Sequence, residues 1–283
     1  MLSDVIAYGR MIKFSHTVFA LPFALMGAWL AAGGVPSADK AGWIVVAMVG
    51  ARSAAMGMNR LVDRHIDALN PRTRERELPS GQISPQATRL FIIAAVALLE
   101  LAAWRLNPLC LQLSPIALAV LFGYSYSKRF TALSHLILGV ALGLAPLGAW
   151  IAVTGRFEPA IVVLCLGVVC WVAGFDTIYA LQDVDFDRHA GLRSLPARVG
   201  VRPALWIARL LHFVAFCCFA FIERLFHLGP AYDLGLLLVA GLMVYEHTLV
   251  RGGRLVHIEH AFFTLNGYIS VILFAFTILD FAL

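Results

Sequence analysis

Apolar residues fill this chain in long blocks, with neither the alternation of a half-buried strand nor the one-sided stripe of a soluble helix. Nine blocks stand out, at about 16–33, 41–60, 86–104, 108–126, 132–153, 159–181, 203–222, 231–250 and 261–281. Each approaches the roughly 20 apolar residues that a helix needs to cross the hydrocarbon core of a bilayer. A helix satisfies its backbone polar groups internally, which lipid demands. The pattern therefore predicts an all-α integral membrane protein with nine transmembrane helices. Most connections are short, and two polar segments, 59–85 and 182–202, are the exceptions. No shift in composition marks a second unit, so residues 1–283 are expected to form one membrane domain.

Composition agrees. The chain is 60% hydrophobic and 14% charged, with a mean hydropathy of +0.82, against about half and about a quarter for soluble domains. A net charge of +5 raises the question of nucleic acid, but the distribution excludes it. Arg10, Lys13, Arg60, Arg64, Arg72, Arg74, Arg76, Lys128 and Arg129 fall on one side of the predicted topology, as do the arginines from Arg188 to Arg202, Arg251 and Arg254. Lys40, Arg105, Arg156 and Arg224 fall on the other. This is the positive-inside asymmetry. It places the N-terminus and both long loops on the cytoplasmic face of a bacterial inner membrane. The five cysteines lie inside apolar spans without zinc-type spacing and are expected to be small core residues.

Charge inside such a chain is the informative feature. Span 2 ends in Asn59-Arg-Leu-Val-Asp63-Arg-His-Ile-Asp67, and steps of four keep Asn59, Asp63 and Asp67 on one helical face. Span 6 ends in Asp176-Thr-Ile-Tyr179-Ala-Leu-Gln-Asp183-Val-Asp-Phe-Asp187. There Asp176, Tyr179 or Ala180, Asp183 and Asp187 form a stripe, while Asp185 falls off it toward water. Both Asp-x-x-x-Asp pairs are followed by Arg-x-Leu-Pro, at Arg76–Pro79 and Arg193–Pro196, and then by a glycine, Gly81 or Gly200. An even number of spans separates them, so this is a parallel internal repeat with both motifs at one membrane face.

An ionised carboxylate at bilayer depth costs roughly 2.5–3.5 kcal/mol on insertion scales, and gathering several adds repulsion. Divalent cations remove both penalties. Mg²⁺ takes hard oxygen ligands and binds through one or two carboxylates plus substrate phosphates. Asp63, Asp67, Asp183 and Asp187, with Asn59 as a neutral oxygen donor, are therefore the expected Mg²⁺ ligands, two ions being clasped between the facing motifs. Arg72, Arg76 and Lys128 are the expected phosphate contacts.

Taken together these motifs resemble the UbiA superfamily of intramembrane prenyltransferases. Three stretches carry the resemblance: Asn59-x-x-x-Asp63-x-x-x-Asp67 continued by Arg72-Thr73-x-x-Arg76-x-Leu78-Pro79-Ser80-Gly81; Tyr124-x-x-x-Lys128-Arg129-x-Thr131; and Asp176-Thr-x-Tyr179-Ala180-x-x-Asp183-x-x-x-Asp187 running on to Ser194-x-Pro196-Ala197-Arg198. The chain departs from the family pattern at Glu77, where relatives often carry proline. The likeness is strongest to the 4-hydroxybenzoate polyprenyltransferase branch. It implies nine helices around a central cavity, Mg²⁺ dependence, and a polyprenyl diphosphate and a small aromatic acid as substrates. The acceptor is either 4-hydroxybenzoate or a dihydroxynaphthoate.

On that chemistry an allylic cation needs a dry pocket with electron-rich walls, and Tyr179, Phe175 and Trp171 share a span below the acids. Asp176 is expected either to bond the acceptor hydroxyl or to position Tyr179 or a loop arginine. An acceptor carboxylate calls for a cation, with Lys13, Lys128 and Arg129 as the choices, and His16 is a further candidate pocket residue. A proton-coupled transporter is the rival class, but its acids belong near the midplane between inverted repeats. The Asp-Gly-x-x-Ala-Arg companion of lipid phosphotransferases and the His-Glu-x-x-His of intramembrane proteases are both absent from the chain.

Overall fold

The computed structural model of the chain describes residues 2–12, 17–253, 255–256 and 258–283; Lys13 and His16 lie outside them. Among the described residues the structure is helical, without strands. In chain order the helices are α1 (Leu2–Met11), α2 (Thr17–Ala32), α3 (Ala38–Leu69), α4 (Pro85–Leu106), α5 (Pro108–Ser127), α6 (Ser134–Thr154), α7 (Ala160–Tyr179), α8 (Val184–His189), α9 (Leu195–Val199), α10 (Val201–Phe226), α11 (Pro230–Leu249) and α12 (Asn266–Ala282). A 3₁₀ turn, Ala180–Asp183, joins α7 to α8, and a π-turn, His260–Leu265, leads into α12. Eight helical segments among the described residues are long and apolar enough to span a bilayer. The apolar stretch of α2, Phe19–Ala32, is shorter and takes the ninth place. The chain is a multi-pass membrane protein.

Local chemistry sets the boundaries. Ser84 caps α4 by accepting from the Ala87 N–H at 3.1 Å, with Pro85 in the first turn. At the tight junction between spans 3 and 4, Asn107 stands extended and accepts from the Cys110 N–H at 2.9 Å. Its own amide donates to the Ile151 carbonyl of α6 at 2.8 Å. Pro108 then begins α5, so an apolar run of some forty residues becomes two helices. Where helices touch most closely the contact residues are small, as expected in lipid. A Cβ added to Gly27 of α2 would stand 2.6 Å from the Pro146 carbonyl oxygen of α6.

The bundle has two unlike halves. Helices α3 to α6, with Ala20 of α2, enclose an apolar chamber of about 250 Å³. Opposite, α7, α10, α11 and α12 pack solidly on α2 around the buried rings of Phe23, Trp171, Phe175, Phe219 and Tyr232. Outward faces carry exposed apolar side chains such as Ile93, Trp206, Phe213 and Leu237, a surface suited to lipid.

Some expectations need correction. Of the five cysteines, Cys110, Cys165 and Cys170 are half-buried and pack against the core as expected, whereas Cys217 is exposed. Between α4 and α5 the Glu100 carboxylate accepts from the Ser114 hydroxyl at 2.7 Å. Before α12 the chain is helical at Ile258 and Glu259 and continues into the π-turn. Trp171 and Phe175 are core residues that line neither cavity, because α7 turns them into the packed half.

Candidate active site

The last turns of α3 carry the first acidic arm on an unbroken helix. The Asp63 and Asp67 side chains are only 3% and 6% exposed. Lys128 Nζ lies 2.6 Å from Asp63, with Arg129 Nη2 at 3.4 Å, and the Asn59 amide donates to the same carboxylate at 3.2 Å. Arg76 Nη1 reaches both oxygens of Asp67, at 2.8 and 2.9 Å. The loop carrying Arg76 is fixed where Thr73 donates to the Asp67 backbone carbonyl at 3.1 Å.

The second arm is broken. Helix α7 ends at Tyr179, the chain tightens through the 3₁₀ turn to Asp183, and Asp187 comes next on the short α8. No glycine or proline stands at the break. Asp183 is instead drawn across the pocket, where Arg72 pairs with it through two guanidinium nitrogens and Asn70 Nδ2 donates at 3.1 Å. The same guanidinium donates to the Tyr179 hydroxyl at 3.2 Å and lies over its ring. Burial opposes the charge on Arg72, but its bonds to Asp183 outweigh that and raise its pKa above the ordinary arginine value. Asp187 is 8% exposed and has no ion pair among the described residues, while Asp185 is exposed to solvent.

Despite the break, Asn59, Asp63, Asp67, Arg72, Arg76, Lys128, Asp176, Tyr179, Asp183 and Asp187 all line one polar pocket of about 180 Å³. Of the predicted site residues, Lys13 and His16 lie outside the described part of the chain. The acids do not form a cage. Among the described residues no three acids, histidines or cysteines stand close enough together to hold an ion unaided. Clasping by carboxylates alone is therefore not preformed, because Asp63, Asp67 and Asp183 are each answered by a base. The donor set still suits Mg²⁺: carboxylate and amide oxygens on both sides of a pocket, with cations between them placed for phosphate.

Asp176 is held by neither Tyr179 nor a loop arginine. His135 of α6 bonds it through Nδ1 at 2.6 Å, while His135 Nε2 accepts from the Leu195 N–H at 3.4 Å. Since Nε2 accepts, Nδ1 carries the proton and donates to Asp176. The sequence offered no signal for His135. Asn70, by contrast, continues the Asn59, Asp63, Asp67 stripe by three residues, and extending that stripe one turn finds it. Arg52 was also legible, as a charge inside span 2 two turns before Asn59. It lines the apolar chamber, which adjoins the polar pocket through shared walls at Asn59 and Tyr124.

Comparison with known proteins matches this arrangement. Residues 20–268 match the model of the UbiA prenyltransferase family. The chain is 32% identical over 266 residues to a 4-hydroxybenzoate octaprenyltransferase from Tolumonas auensis, covering 94% of this chain and 92% of that one. It is 29% identical over 281 residues to the enzyme of the same name from Saccharophagus degradans, covering 98% and 93%. A UbiA homologue from Aeropyrum pernix K1, solved without ligand, superposes with a TM-score of 0.86 at 34% identity, covering 94% of this chain and 98% of that one. A UbiA homologue from Archaeoglobus fulgidus, solved with GPP and Mg²⁺, shares the fold at a TM-score of 0.74 and 20% identity, covering 98% and 100%. With the family model spanning nearly the whole bundle, the chain belongs to the UbiA prenyltransferase family.

Proposed function

We propose that this protein transfers a polyprenyl group from polyprenyl diphosphate to a ring carbon of 4-hydroxybenzoate in quinone biosynthesis, with Mg²⁺ as cofactor. The observation that carries the reading is adjacency: an acid-and-base pocket shares Asn59 and Tyr124 with an apolar chamber. A charged diphosphate head on an isoprenoid tail asks for that pair of environments. The names of the bacterial relatives support the acceptor. The basic loops around the pocket favour the cytoplasmic face of a bacterial inner membrane.

Bound through Asp63, Asp67, Asp183, Asp187 and Asn59, Mg²⁺ would supply Lewis-acid stabilisation of the departing diphosphate. The chain's own groups do the rest. Lys128, Arg72 and Arg76 exchange their carboxylate partners for phosphate oxygens. The allylic carbon–oxygen bond breaks with its electron pair on the diphosphate, and the Tyr179 ring at the pocket wall faces the resulting cation. The acceptor's ring carbon forms the new carbon–carbon bond and then loses its proton. Asp176, oriented by His135, accepts a hydrogen bond from the acceptor hydroxyl and raises the ring's nucleophilicity. Arg52 is the cation the apolar chamber offers to the acceptor carboxylate, since Lys128 is taken by phosphate and Arg129 is bonded to Asp63.

The test is transfer from radiolabelled prenyl diphosphate in membranes, with 4-hydroxybenzoate or a dihydroxynaphthoate, with and without Mg²⁺. Labelled prenyl-hydroxybenzoate that requires Mg²⁺ is the expected product. Transfer only to the naphthoate would redirect the assignment to menaquinone synthesis, and no transfer to either would overturn it.

A further inference from the structure

The packed half holds a polar cluster that the transfer chemistry does not use. Trp171 of α7, wholly buried, donates its indole N–H to Asn266 Oδ1 at 2.7 Å. Asn266 donates in turn to Glu246 Oε1 of α11 at 2.9 Å, and both residues are 0% exposed. His212 of α10 bonds the Trp171 carbonyl through Nε2 at 3.2 Å, and His247 of α11 meets His212 Nδ1 at 3.1 Å. A carbonyl only accepts, so His212 Nε2 carries the proton. The His212 ring occupies the space above Gly174, where any Cβ would collide with it. Three helices, α10, α11 and α12, thus converge on the backbone and indole of a single residue of α7. Burying these groups in lipid is costly unless they order something.

Trp171 is the foot of an aromatic column. Its ring meets Phe175 edge-on at 4.8 Å between centroids, Phe175 meets Phe262 at 5.2 Å, and Phe262 lies 4.0 Å from Tyr179. The steps from Trp171 to Phe175 to Tyr179 are four residues each, one face of α7. On the other side the π-turn His260–Leu265 places Phe262 and Phe263 against Tyr179. One extra residue in a helical turn rotates the remainder of the helix by about 100°, and Asn266, directly after the π-turn, faces Trp171. The π-turn therefore lets one short stretch grip both ends of the column.

We propose that Asn266, backed by Glu246, is a positioning residue of the transfer reaction. By fixing the Trp171 indole, it sets the column that presents the Tyr179 ring to the polar pocket. This rests on the prenyl-transfer reading, and the experiment separates the two. Full-length protein in nanodiscs is labelled with fluorotryptophan, the Trp171 signal is assigned with Trp171→Phe, and the double variant Glu246→Leu/Asn266→Leu is compared with wild type. Replacing both partners avoids leaving a buried carboxyl unpaired. The Trp171 resonance should move and kcat should fall about tenfold or more, while KM for prenyl diphosphate stays within about twofold. Glu246→Gln, which keeps the acceptor for Asn266, should behave as wild type. A moved resonance with unchanged kcat overturns the proposal, as does a KM that rises in step with the loss. Should the double variant not fold, Trp171→Phe, which removes the donor and trims the ring, must show at least the same drop in kcat, and wild-type turnover there overturns the idea. A wild-type protein that transfers nothing overturns the functional reading and this inference with it.

Discussion

The two acidic arms share a sequence pattern and differ in construction. Asp63 and Asp67 ride on a helix of 32 residues, nearly inaccessible, each held by a base from a neighbouring segment. Asp183 and Asp187 sit on a 3₁₀ turn and a helix of six residues, and Asp183 is held by Asn70 and Arg72, which come directly after the first arm. One arm is a fixed wall, and the other is a short piece docked onto it. Repetition in sequence therefore conceals a dependence: the first arm carries the residues that place the second.

That comparison can be broken in order of expected effect. Asp63→Ala and Asp183→Ala should each reduce kcat on the order of 10²–10³-fold or more, read by radiolabelled transfer with folding checked by size exclusion. Near-wild-type turnover in Asp183→Ala alone would make the second arm a structural element. Next, Arg72→Ala removes both the docking contact and a phosphate contact, whereas Arg76→Ala removes a phosphate contact and leaves the docking of the second arm intact. Arg72→Ala should raise KM for prenyl diphosphate by about 10–100-fold and hasten proteolysis within 180–199. Arg76→Ala should raise KM without the change in proteolysis. Equal protease sensitivity in both would show that the second arm does not depend on Arg72. Smallest of all, Asp185→Ala should leave both constants within about twofold, because that side chain faces water.

Much of the fold was legible because lipid imposes a simple rule on sequence. Most spans were found within a few residues, even at Asn107-Pro108, where capping and proline stop one helix and start the next. Helix α3, however, runs to Leu69, nine residues past its predicted end at 60, because its polar last turns carry the acidic arm. The acids and bases of the pocket were legible because charge in an apolar chain is conspicuous. Arg52 and Glu246 carried the same signal but lie away from any repeated motif. His135 carried none: it bonds Asp176 across 41 positions, and only the packing of α6 on α7 brings them together. The assignment of Trp171 and Phe175 to the pocket wall failed because one-face spacing says which residues share a side of α7, not which side meets the cavity.

The sequence by itself determined the all-helical membrane class and the order of its helices, the end of the bundle that gathers charge, and the chemistry that such charge suits. These arise from local quantities: apolar length, capping residues, and the cost of a carboxylate in hydrocarbon. Tertiary structure alone decided which base answers which acid, which half of the bundle stays hollow, and how a buried asparagine reaches an indole 95 positions away. Those outcomes depend on contacts between helices distant in the chain, and no periodicity within a single helix encodes its neighbour.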